Sequence, residues 1–134
     1  LENNVKQKAL KTLDAAQKLI NAQLYTQSVH CSYYAILQYM KYMLATTTVR
    51  PIPYAQQNDQ PSMDSHTYIL REVRSRLSNN TSIQIKFEQS VQNLRHLRVE
   101  ADYTIKEFTA EESAEARQFA DGIITKLKTF FGNI

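Results

Sequence analysis

Val29-His30-Cys31-Ser32-Tyr33-Tyr34-Ala35-Ile36-Leu37-Gln38-Tyr39-Met40-Lys41-Tyr42-Met43-Leu44 is the run that decides the fold. It carries no Gly or Pro, and past its first turns Ile36 is its one β-branched residue, so nothing in it opposes a helix. Val29, Tyr33, Ile36, Leu37, Met40, Met43 and Leu44 recur at three- and four-residue steps and form one apolar stripe. Cys31, Tyr34 or Ala35, Gln38 and Tyr42 form a second. A helix apolar on more than one side needs neighbours on more than one side, which predicts the central helix of a bundle.

The surrounding composition agrees. Two Gly and three Pro in 134 residues leave little material for β-turns, and no useful strand-like alternation occurs, so the predicted class is all-α. The length suits a single domain spanning 1–134 that buries its own core. The net charge is only +3, and the surplus of Lys and Arg is largest over residues 65–100, where an anion-binding face is expected. Cys31 is alone, which excludes an intrachain disulfide and predicts a small buried apolar role. His30, Gln38 and Lys41 interrupt the most apolar stretch, so no membrane span is expected. With no secretory signal visible, a cytoplasmic protein is expected.

In chain order, the first helix is predicted over 4–22, with Val5, Ala9, Leu13, Ala16 and Ile20 inward and Asn3 or Asn4 as cap. A tight link leads antiparallel into the second, 25–45. Residues 46–62 hold all three Pro and predict a mobile connection without helix. The third helix, 65–77, takes Ser65 as cap, turns Ile69, Leu70, Val73 and Leu77 inward, and points Arg71, Arg74 and Arg76 at solvent or a partner. The fourth, 82–101, has Ile83, Phe87, Val91, Leu94 and Leu97 or Arg98 on its inner line. Thr109-Ala110-Glu111-Glu112 is a capping box that opens the fifth, 110–131, which Gly132 closes. The expectation is a five-helix up-and-down bundle.

Most bundle chemistries are absent from the sequence. None of the eight Glu has a His three positions on, as a di-iron carboxylate site requires. His30, His66 and His96 lie on three different predicted helices without local pairing, so no metal ligands are assigned. No Gly-rich phosphate loop exists, and no cofactor is implied. What stands out is Leu94-Arg95-His96-Leu97-Arg98-Val99-Glu100-Ala101-Asp102-Tyr103. Arg95, Arg98 and Asp102 share one helical face, and two guanidinium groups on one face suit phosphate. A solvated salt-bridge ladder has the same spacing.

Tyr33-Tyr34-Ala35 in the second helix, Ser65-His66 opening the third and Arg98-Val99-Glu100-Ala101-Asp102-Tyr103 closing the fourth together resemble the HEPN (higher eukaryotes and prokaryotes nucleotide-binding) domain family. The likeness spans nearly the whole chain. It implies an all-α bundle that forms a homodimer. Many members of the family are metal-independent ribonucleases, often toxins neutralised by a small nucleotidyltransferase, whose motif is an Arg followed four to six residues later by His. This chain departs from that motif. Six intervening residues after Arg95 lead to Asp102 and four after Arg98 lead to Tyr103, and no His follows any Arg at that spacing. A carboxylate there supplies neither the cation nor the neutral-pH base that His does.

The resemblance therefore implies a non-catalytic module. It would be homodimeric and would pair with a minimal nucleotidyltransferase or bind nucleotide or RNA through Arg95, Arg98, Asp102 and Tyr103. No residue is assigned as catalytic. The alternative is a toxin-type RNA endonuclease with a degenerate site, using both arginines with Tyr103 or His96. In either case Asp102 is expected to neutralise Arg98 and leave Arg95 as the freer anion ligand.

Overall fold

The computed structural model describes residues 2–58, 63–77 and 79–132. Within them run α1 (Glu2–Asn21), α2 (Tyr25–Thr46), α3 (Ser65–Leu77), α4 (Thr81–Tyr103) and α5 (Ala110–Phe131), and no strand. The all-α five-helix bundle is as the periodicity predicts. Residues 59–62 and Ser78, parts of two expected connections, lie outside the described residues.

α2 is the axis: it packs against each of the other four helices. Tyr33, Ala35, Ile36, Leu37, Tyr39, Met40, Met43 and Leu44 are all buried, so both predicted stripes find neighbours. Around them one apolar cluster joins Ala9 and Leu13 of α1, Ile69 and Val73 of α3, Phe87 and Leu94 of α4, and Ala116, Ile123 and Leu127 of α5. Burying one such Leu, Ile or Phe contributes roughly 1.5–3 kcal/mol, so this cluster holds the bundle together. Cys31 is only partly buried, and its thiol pKa is raised by burial and then by the nearby Asp102 carboxylate.

Local signals set most helix ends. α1 turns into α2 through Gln23, whose φ of 64° lets Leu24 and Gln23 donate back to Leu19 and Ile20. The Thr109–Glu112 capping box forms in both directions, and Gly132 ends α5 at φ 84°. Two predicted caps differ. α1 already begins at Glu2, so Asn3 and Asn4 lie inside it. For α3 the side-chain cap is Asp64, which accepts from the Thr67 N–H at 2.9 Å; its carboxylate reaches farther than the Ser65 hydroxyl and also takes the Thr67 hydroxyl. On the inner line of α4, Arg98 and not Leu97 continues the buried series Phe87, Val91, Leu94.

The connection expected to be mobile is, over residues 47–58, a docked strap. Ile52 N–H donates to Leu44 O, and a single 3₁₀ turn at Tyr54–Gln56 follows. Gln57 is buried and its Nε2 donates to Lys41 O and Ile52 O, both at 2.9 Å. From α3, Arg76 donates Nε to Val49 O, Nη2 to Arg50 O, and Nη1 to Glu72 O and Oε1. Its side chain is 2% exposed, which corrects the expectation that it faces solvent or a partner. Side-chain donors thus hold the strap where its own backbone, broken by Pro51 and Pro53, makes few bonds. Arg50 adopts φ 48°, a left-handed strain that the bond from Arg76 to its carbonyl offsets.

Candidate functional site: an arginine caged by tyrosines

α4 delivers the site. The four-residue step from Leu94 places Arg98 where the core would take another apolar side chain. Its guanidinium carbon instead meets aromatic faces: the rings of Tyr33 and Tyr34 from α2 at 5.0 and 5.4 Å, and Tyr103 of its own helix at 5.9 Å. Asp102 comes to 3.6 Å from Nη1, one helical turn on. Only 7% of the Arg98 side chain is exposed, Nε is buried without a partner, and the side chain forms no hydrogen bond among the described residues. Cation–π contacts are worth up to about 2 kcal/mol when desolvated. They leave the guanidinium N–H groups unused.

Asp102 does not serve Arg98 alone. Both its oxygens lie 2.9 Å from Nδ1 of His30, and the His30 ring packs on Tyr34 with centroids 4.6 Å apart. Arg95 is more fully occupied than Arg98, contrary to the sequence expectation. Its Nη2 donates to Asp64 Oδ1 at 3.0 Å and its Nη1 to Thr67 Oγ1 at 3.2 Å. The Thr67 backbone N–H and hydroxyl and the Arg95 guanidinium hold the Asp64 carboxyl down to about 2. α3 thereby locks its own N-terminus to α4.

The floor is a neutral pair. Tyr33 Oη and His66 Nδ1 are 2.8 Å apart, with rings stacked at 5.6 Å. Burial pushes the Tyr33 hydroxyl up to about 12, against the pull of Arg95 and Arg98. Burial also lowers the His66 pKa, and both arginines add to that shift. A protonated phenol beside a neutral imidazole assigns Tyr33 as donor to Nδ1, which places the ring proton on Nε2.

A model of the HEPN domain matches residues 3–130. The chain belongs to the HEPN domain family. No curated protein and no solved structure matches it. The HEPN family is one of nucleotide- and RNA-related function, and its domains often dimerise. Among the described residues of this HEPN domain, no helix is long and apolar enough to cross a membrane. Nor, among them, do three or more His, Cys, Asp or Glu gather as metal ligands would.

Of the residues the sequence nominates, Arg98, Asp102 and Tyr103 meet in the cage, and Arg95 stands one turn back against α3. Tyr103 is 75% exposed, and Ile105 just beyond it is fully exposed. His96 is largely exposed, 3.7 Å from Glu100, and takes no part. Sequence reasoning missed His30 and Asp64. His30 pairs with a residue 72 positions away, a relation that no local spacing carries.

Proposed function

We propose that this HEPN domain is a non-catalytic, homodimeric binding module that holds a phosphate of nucleotide or RNA at Arg98, with Tyr103 as the movable cover. One observation carries the reading: an arginine side chain only 7% exposed, whose buried Nε has no hydrogen-bond partner among the described residues. Buried polar groups are almost always paired, and leaving one unpaired costs about 1–3 kcal/mol, more for a charge. A phosphate oxygen would accept the two adjacent N–H groups that the rings cannot. Asp102 replaces the histidine of the family's ribonuclease motif, which supports binding over cleavage. Exposed Tyr103 and Ile105 at the rim suit a protein surface, and a minimal nucleotidyltransferase is the partner we propose for it.

The test is labelled single-stranded RNA titrated across a salt series. Wild type should bind, more weakly as salt rises, because neutralised phosphates release counterions. Arg98→Met should lose at least tenfold, and Arg95→Ala less. Equal binding by wild type and Arg98→Met would end the proposal.

A second reading has its own observation. The Asp102 carboxylate fixes His30 through Nδ1 and leaves Nε2 to act, the orientation that an acid–base histidine requires. In that reading the domain is a ribonuclease with His30, not His96 or Tyr103, as proton carrier. Wild-type RNA cleavage that disappears in His30→Ala would establish it.

A further inference from the structure

Lys41 is the one Lys, Arg, Asp or Glu in α2, the apolar axis of the bundle. It is half-buried and lines a cleft of about 410 Å³ between α1, α2, the strap and the start of α3. That size lies within the roughly 300–1,000 Å³ of small-molecule sites. Among the described residues no carboxylate lines the cleft, and Lys41 has no ion pair. An ammonium drawn into a protein is normally paired, so this one calls for a reason.

The surroundings of Lys41 suit an amine nucleophile better than a fixed cation. Exposed Lys8 of α1 brings a second ammonium to the same cleft. Burial first, and then the charge of Lys8, lower the Lys41 pKa and enlarge the share of neutral amine. Desolvation beside another cation is one of the ways a protein activates a lysine for attack on a carbonyl carbon. Val5 and Leu37 supply apolar wall, and the Tyr34 ring supplies an aromatic face. Two unused acceptors share the cleft. The side-chain oxygens of Gln38, three residues before Lys41, and of Gln57 are buried without a hydrogen bond. Gln57 Nε2 donates to Lys41 O at 2.9 Å, which pins the strap to the backbone of the lysine itself. An N–H kept on the Lys41 nitrogen after reaction would find acceptors there.

We propose that Lys41 is a modification site for 2-oxo acids, condensing with the ketone as an imine while Lys8 holds the carboxylate. The Nζ lone pair of the neutral amine adds to the carbonyl carbon. Both amine hydrogens leave with the carbonyl oxygen as water, and the nitrogen of the new C=N bond takes one proton from solvent. Nothing is oxidised or reduced. The protonated imine keeps a single N–H, for which the Gln38 and Gln57 oxygens are acceptors. A carboxylate beside the ketone defines the class, because it meets the charge of Lys8 while the carbonyl carbon meets Lys41. An aromatic or apolar side chain on the acid suits the Tyr34, Leu37 and Val5 wall. Arg98 does not line this cleft and has no part in the step.

The experiment treats the full chain with phenylpyruvate and sodium cyanoborohydride at neutral pH and maps the adducts by peptide mass spectrometry. Hydride from the reagent converts the imine to a stable secondary amine. The adduct should form at Lys41 at least tenfold faster than at any of the eight other lysines. Lys41→Arg keeps the charge but cannot form the imine, and should abolish that adduct. Lys8→Ala should slow it at least tenfold, and Lys8→Arg should restore it. Thermal melts check that each variant is folded. Adduct formation at Lys41 no faster than at the other lysines would overturn the proposal, as would a rate insensitive to Lys8→Ala. Because the readout is a mapped mass and not RNA affinity, its failure and that of the Arg98 reading are separate results.

Discussion

Arg76 and Arg98 are both buried arginines near helix C-termini, and the bundle treats them in opposite ways. Arg76 spends its guanidinium on four oxygens of the strap and of Glu72. Arg98 spends its own on three aromatic rings and a carboxylate at 3.6 Å that a histidine also holds. Burial alone therefore does not tell the two arginines apart. The hydrogen bonds do. On our proposal, a finished buried cation is part of the architecture, whereas an unfinished one is kept for a ligand.

Removing Arg76 should have the greatest consequence. Arg76→Met should cost about 3–5 kcal/mol in urea denaturation, because it strands the Val49 and Arg50 carbonyls and the Glu72 carboxylate at once. The same variant should lose amide-exchange protection at Ile52, whose N–H reports strap docking. A loss near zero would mean that the strap holds without its clasp.

A smaller effect sharpens the other side. Asp102→Asn should cost about 1–3 kcal/mol, since it removes the carboxylate 3.6 Å from a buried cation. It should also tighten RNA binding, because a competing negative charge is gone from Arg98. Weaker RNA binding in this variant, measured in the same salt series, would mean that Asp102 assists the ligand and does not compete with it.

The smallest effects are in pH dependence. His66 has a folded pKa below its ordinary 6.5, so the unfolded chain takes the proton first and stability falls as pH drops below about 6.5. Asp64 is held at about 2 against an ordinary 3.8. Its contribution is whole above 3.8 and is lost as pH falls from there toward 2. Because Arg98 is one of the charges that depress His66, NMR titration should show the His66 pKa rising in Arg98→Met and unmoved in Arg76→Met. A rise of equal size in both variants would place the cause in global loosening.

The helices were legible because their signals are local. The α2 stripes, the Thr109–Glu112 box and the Gly132 stop each need only a few neighbouring residues. The strap was not, because its anchors are side chains reaching backbone carbonyls 16 to 27 positions away, as Gln57 does to Lys41 and Arg76 to Val49. Such bonds leave no periodic trace, and three Pro argued locally for mobility. The site was half legible. Arg98, Asp102 and Tyr103 share one turn of helix and could be named together. The pairing of Asp102 with His30, and of Arg95 with the α3 cap Asp64, required the fold.

The most direct test measures stability and RNA affinity on one preparation of Arg98→Met. Replacing an unfinished buried cation with an apolar side chain of similar length should change the melting temperature by only a few degrees, because Asp102 keeps its His30 partner and the lost cation–π contacts are worth up to about 2 kcal/mol. RNA affinity should fall at least tenfold in the same sample. A melting temperature lowered by many degrees with RNA affinity intact would contradict the account and make Arg98 a structural residue like Arg76.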